Sequence, residues 1–219
     1  MSRSVLRASR ECAWPAALLL CACGASSPTR YYTLFDTTGS FDTARPFDAT
    51  GRGKIQTRTA AFVIDVQPVA IPAQVDQPQL LVRDGDANVR LLEHERWVAP
   101  LADEVRGALT LMLSEQLVAS DAAAAQTPAA GTPVLKVKLE VQRFDSVPGE
   151  YAEIAATWSL RYGSRPPLVC AAYERQAVGH EYDELVRGQR RALAHIAGQM
   201  AAAARRLAAG AAAGCADDG

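Results

Sequence analysis

Histidine and cysteine are scarce in this chain, three and five in 219 residues, and they are poorly spaced for chemistry. A structural or catalytic metal needs thiolates or imidazoles that converge on a tetrahedron. Cys12, Cys170, Cys215, His94, His180 and His195 include no two at ligand spacing, and the close pair Cys21 and Cys23 has nothing nearby to complete a site. A metal site is therefore not expected. Basic blocks are missing too: 23 Lys and Arg stand against 24 Asp and Glu, and aromatics are only 6% of the chain. Phosphate neutralisation wants clustered cations interleaved with aromatics, so nucleic-acid binding is disfavoured. The chain lacks a Gly-x-Ser-x-Gly elbow and a phosphate loop, and no pair of carboxylates near a histidine is one that the sequence alone justifies as catalytic. These absences predict a protein with no catalytic residues and no cofactor.

What is present begins with "LLLCACGASSPTRYYTL", residues 18–34. Arg3, Arg7 and Arg10 form a positive start, and residues 12–22 form an apolar core. Eleven residues of helix reach about 16 Å against a hydrocarbon core of about 30 Å, so this segment is too short to span a membrane. Leu20-Cys21-Ala22-Cys23 resembles the bacterial lipobox: Leu three residues before the cut, a small residue directly before it and cysteine directly after. Cleavage after Ala22 would leave Cys23 as the first residue of the mature chain, carrying palmitate-type acyl chains as its covalent lipid anchor. A plain secretory peptide cut elsewhere is the alternative. Gly24 follows the lipid site where aspartate would imply retention at the inner membrane, which points to the outer membrane and its periplasmic face.

Losing residues 1–22 removes three arginines and one glutamate and leaves 20 basic and 23 acidic side chains. The remaining 197 residues suit one domain. Residues 23–58 read as lipid tether, aromatic segment and loop, 59–209 as the domain, and 210–219 as a tail. Cys170 and Cys215 would sit in a compartment that oxidises thiols. They either pair or remain a buried small hydrophobe and a tail thiol.

Tyr31, Tyr32, Leu34 and Phe35 read as an edge strand or docked segment, and "AFVIDV" at 61–66 as a buried strand ended by Pro68 and Pro72. "QLLVRDGDANVRLL" at 79–92 predicts a hairpin turning at Asp84-Gly85. An EF-hand fits it poorly, because Val89 stands where the loop needs glycine. His94-Glu95 starts no zinc-protease motif, since Val98 occupies the second histidine's place. Pro100, Asp103 and Glu104 mark the start of a helix over about 99–118, with Leu101, Val105, Leu109, Met112 and Leu117 on one face. Trp97 plugs the core at the helix entrance.

Residues 119–132 are a low-complexity connection. Strict alternation follows in "PVLKVKLEVQRF" and "YAEIAATWSLRY", which places Trp158 inside and gives each strand one wet face bearing Lys136, Lys138, Glu140, Glu153 and Arg161. "PLVCAAYERQAV" at 167–178 adds a third strand, and a helix over about 182–208 carries Leu185, Leu193, Ile196, Met200 and Leu207 on one stripe. The expected fold is α+β, a two-layer sandwich with a mostly antiparallel sheet of five or six strands and two helices on one face.

The lipobox followed by "RYYTL", the arrangement Pro72…Gln77-Pro78-Gln79-Leu80…Arg83…Trp97…Pro100-Leu101, the run Arg143-Phe144-Asp145 and the pair Ala156-x-Trp158 resemble the ABC-type transport auxiliary lipoprotein family, which includes paraquat-inducible protein C. The resemblance implies a non-catalytic outer-membrane lipoprotein, a homo-oligomer that docks an MCE-domain protein of an intermembrane lipid transport system and works among outer-membrane lipids. A structural, pilotin-like lipoprotein of another outer-membrane complex is the alternative.

Overall fold

The computed structural model describes residues 27–35, 62–85, 87–117, 120–121 and 131–215, with the side chains of 120–121 left out. In chain order the elements are β1 (Arg30–Tyr32), β2 (Val63–Val66), β3 (Gln79–Arg83), β4 (Val89–Trp97), α1 (Leu101–Leu117), β5 (Ser120–Asp121), β6 (Val134–Val147), β7 (Tyr151–Tyr162), β8 (Leu168–Ala177) and α2 (Tyr182–Ala208).

The architecture is α+β, but the strands form two sheets where the sequence suggested one. Five strands run in the order β5-β2-β6-β7-β8, and three more run β1-β4-β3. Both sheets are mixed: β2 pairs parallel with β5 and β6, and β1 pairs parallel with β4, while β6-β7, β7-β8 and β3-β4 are antiparallel. Alternation reveals which residues face a core but carries no information about which strand lies beside which. Here the chain after β2 keeps to the edge of β6, with Gln67 N–H donating to Val137 O and Ala70 N–H to Leu139 O. Pro72 then turns it away, so the β3-β4 hairpin builds a sheet of its own.

The large sheet buries one face under the helices. Leu135, Val137, Leu139 and Val141 of β6 and Ala152, Ile154, Ala156, Trp158 and Leu160 of β7 all point inward and are nearly or fully buried. The α2 helix lies across β6, β7 and β8, and α1 packs on α2 and β2. The buried face of α2 is wider than the stripe of large residues: Gly188, Ala192, Ala197, Ala201 and Ala204 belong to it. Gly188 sets how near the helix comes, since a Cβ there would collide with Val178 Cγ1 and with the Cβ of Ala152. The end of α2 is held by Arg165, which donates to the Leu207 carbonyl at 3.1 Å, a cation at the negative end of the helix.

Beyond α2 the chain doubles back to β8, where Cys170 and Cys215 are joined in a disulfide with Cα atoms 5.5 Å apart. Of the two options left open by the sequence, pairing is the one realised. Cys170 is buried beside Trp158, its register partner on β7.

Candidate interaction surface

Cys23 and Ala22 lie outside the described residues, as do the 36–58 loop and the last four residues of the tail. The chain is described from Ser27, and the segment that leads into the domain is pinned to it at several points. Tyr32 donates its hydroxyl to Glu95 Oε2 at 2.6 Å, Arg30 pairs with the same carboxylate at 3.3 Å, and Val98 N–H donates to Tyr32 O at 2.9 Å. Burial, reinforced by the Glu95 carboxylate, pushes the Tyr32 hydroxyl up to about 12. Leu34 is fully buried. Its N–H and the Thr33 hydroxyl both donate to Glu104 Oε2, at 2.9 and 2.7 Å. Glu104 sits in the first turn of α1, where a carboxylate also suits the helix dipole, and it is itself 2% exposed.

Trp97 closes β4 where the sequence suggested the entrance of a helix; both descriptions place it directly before α1. It is 7% exposed and meets Phe144 edge-on, with ring centroids 6.2 Å apart. Its backbone N–H donates to Pro78 O at 2.9 Å. The residues singled out at 77–80, 97 and 100–101 thus come together at one junction of the two sheets with α1. Asp76, Gln77, Pro78, Trp97, Val98 and Pro100 border an open cleft there of about 370 Å³, and Val98 is largely exposed. Trp158, by contrast, is 1% exposed on the helix-covered face, and its indole Nε1 makes no hydrogen bond among the described residues.

Among the described residues no helix covers the other face of the large sheet, yet that face is not uniformly wet. Lys136, Lys138, Glu140 and Arg161 are exposed as the alternation predicts. Glu153 is the correction: it points to this face but is fully buried. Its neighbours fold over it. Arg143 reaches Glu153 Oε1 at 3.1 Å, while Arg175 (2.5 Å) and the Tyr173 hydroxyl (2.7 Å) donate to Oε2. Arg175 also stacks on the Tyr151 ring, 4.0 Å from its centroid. A carboxylate desolvated in this way is held by the charges that cover it. Those charges respond in kind: the bond to Glu153 raises Tyr173 and Arg175 above their usual ranges, and the bond to Asp145 does the same for Arg143.

Asp145 extends the network to the small sheet. Arg143 donates to its Oδ2 at 2.8 Å, and Arg83 of β3 lies 3.3 Å from its Oδ1. Arg83 and Arg143-Phe144-Asp145, far apart in sequence, therefore meet. Gln189 of α2 adds a contact that sequence reasoning missed, donating from Nε2 to Asp145 O at 2.6 Å and to Ser146 Oγ at 3.1 Å. A polar residue interrupting the apolar stripe of α2 was the available signal. Elsewhere, His195 Nδ1 lies 3.1 Å from Glu174 Oε2 with Gln176 and Gln199 close by, a polar fastening of α2 to β8. No cluster of three or more metal-ligating side chains occurs among the described residues.

Tyrosines and arginines over a buried acid, with an open cleft at the sheet junction, make surfaces suited to binding, because such side chains bring large contact area and multiple donors. Solved structures share the fold at low identity. One protein aligns over 80% of this chain and 98% of its own length with a TM-score of 0.59 at 18% identity. A protein of Xanthomonas campestris aligns over 64% of this chain and 81% of its own, TM-score 0.50, at 14% identity. Among curated proteins none matches. The family model for the ABC-type transport auxiliary lipoprotein component covers residues 47–201, from within the loop after the tether through the buried heart of α2. The chain belongs to the ABC-type transport auxiliary lipoprotein family.

Proposed function

We propose that this protein is an outer-membrane lipoprotein, anchored through Cys23 on the periplasmic face, and that it docks an MCE-domain protein of an intermembrane lipid transport system without turning over a substrate of its own. The observation that carries the proposal is the family match, which follows a lipobox ending at Cys23 by little more than twenty residues of chain. The Cys170–Cys215 disulfide agrees with an oxidising compartment such as the periplasm. In this reading the tether enters at β1 and Glu104 locks it to α1, so a pull on the anchor is passed directly to the folded domain. The Trp97 cleft and the Arg143-Glu153-Arg175 face are the surfaces offered to partners. Self-association has its own element, because β8 is a ten-residue strand at the end of the large sheet and such an edge can accept another strand.

Purification of the tagged protein from native membranes, with mass measurement of what accompanies it, tests this. Co-recovery of an MCE-domain protein with a multimer of this chain is expected. A lone monomer that hydrolyses phospholipid after repurification would overturn the proposal.

A further inference from the structure

The small sheet has an outer face that the described structure covers only in part, where Arg83 reaches Asp145 of β6 and Leu81 packs against the core. Partners opposite one another in a sheet share a face, so the pairs Leu81–Leu91, Arg83–Val89, Gln79–Arg96 and Tyr31–Arg96 define it. Their sequence neighbours Leu80, Val82 and Trp97 are buried beneath. On the outer face Tyr31 is 64% exposed, Val89 56% and Leu91 38%. Val89 and Leu91 stand together at the turn end of β4, whereas Tyr31, opposite Arg96, stands at its other end.

The way the chain enters gives the turn end a role. β1 runs parallel to β4, and Arg30 stands opposite Glu95, close to the far end of β4. The six residues Val89–His94 therefore project back from that point, along the direction from which the tether comes, by about 20 Å. From Cys23 to Arg30 the tether can reach at most about 25 Å even when fully extended. An acylated Cys23 thus cannot hold Arg30 far from the bilayer, and the hairpin tip spans most of the permitted gap.

We propose that the β3-β4 hairpin is a prong that rests on the lipid surface, with Val89 and Leu91 at the level of the headgroups and Tyr31 above them. This rests on the reading of Cys23 as the anchor. The chemistry at the turn end of the hairpin suits a bilayer interface: shallow burial of Val89 and Leu91 adds affinity, and the Arg90 guanidinium can meet a lipid phosphate, while Arg30, Tyr31 and Arg96 at the other end of β4 stay in water. Arg90 also lies 3.9 Å from Asp84 and offsets that acid; the turn sequence carries a second acid, Asp86, and Glu93 remains exposed on the same strand. The prong gives the domain a fixed tilt that a lone tether does not impose.

The test uses the full mature chain, acylated in its host, purified and reconstituted in vesicles of phosphatidylethanolamine and phosphatidylglycerol with or without brominated acyl chains. Val89→Trp and, as a second reporter, Leu91→Trp are compared with the parent, which subtracts Trp97 and Trp158. Val169→Trp is the control, because Val169 is 57% exposed and lies on β8, two strands from β6, to which Arg83 of the small sheet attaches. Insertion to the depth of an interfacial segment predicts a roughly twofold quench of the added emission at positions 89 and 91, and none at 169. If the chain floats with the vesicles and carries acyl mass, yet positions 89 and 91 quench no more than 169, the prong is wrong and the anchor stands. If the chain neither floats nor carries acyl mass on Cys23, the anchor reading fails and the prong falls with it.

Discussion

The two sheets are held by different means. The five-stranded sheet buries Leu135, Leu139, Ile154, Trp158 and Leu160 against α2, so its stability comes from apolar area and close packing. The three-stranded sheet contributes fewer buried residues and is secured instead by discrete polar contacts: Tyr32 to Glu95, Arg83 to Asp145, and the Thr33 and Leu34 bonds to Glu104 beside it. Area-based stability is spread over many residues, whereas polar fastenings fail one at a time. The large sheet is thus the scaffold, and the small one is the coupling between scaffold and tether.

Substitutions in the scaffold should cost most and act globally. Trp158→Ala removes a fully enclosed ring between Leu139 and Cys170, its register partners on the flanking strands. It should destabilise the protein by about 3–5 kcal/mol, read as a lower midpoint in a denaturant titration. Loss of partner binding at unchanged stability would instead assign Trp158 to the interaction surface. Reduction of Cys170–Cys215, which closes a segment with a sequence separation of 45, should cost about 2–4 kcal/mol by freeing the unfolded chain. Melting curves with and without reductant measure this, and Cys215→Ser should abolish the difference.

The coupling should break locally. Glu104→Ala leaves the Leu34 N–H and Thr33 hydroxyl without their acceptor and removes a carboxylate from the start of α1. A loss of about 1–3 kcal/mol is expected. Hydrogen exchange should show it confined to residues 30–35 and the first turn of α1, with β6, β7 and β8 as protected as before. Equal loss of protection across the large sheet would mean that the two regions are one cooperative unit.

The same contrast explains what was readable from sequence. Alternation in β6 and β7 and the apolar stripe of α2 report burial directly, so the long strands, the last helix and the inward Trp158 were legible. The Asp84-Gly85 turn was legible because its chemistry is local; Gly85 has φ +82°. Partition into two sheets was not, since parallel pairing of β2 with β6 and β1 with β4 depends on contacts distant in sequence. Glu153 was misread as solvated because alternation gives the face of a side chain and says nothing of what folds over it. Arg143, Tyr173 and Arg175 come from two other strands. Glu104 looked like a residue answering the helix dipole alone, and its role in holding Leu34 appears only once β1 is docked.

The subtlest test of the coupling is its pH dependence. Desolvation first, and then the hydrogen bond to Glu95, raise the Tyr32 hydroxyl from 10 to about 12 in the folded protein. Between those values the unfolded chain has released this proton while the folded chain keeps it. The folded state then binds more protons than the unfolded one, so stability falls as pH rises through the window. Below pH 10 the contribution is fully present; above about 12 it is gone. Other tyrosines and the lysines also titrate in this range, so the comparison must be with Tyr32→Phe. That variant lacks both the hydrogen bond and the titrating group. It should start less stable at neutral pH and lose less as the pH is raised from about 9 to about 12, with the parent's excess loss appearing as exchange at residues 30–34 before it reaches α2. Parallel pH profiles for the two proteins would show that the Tyr32–Glu95 contact does not fasten the small sheet.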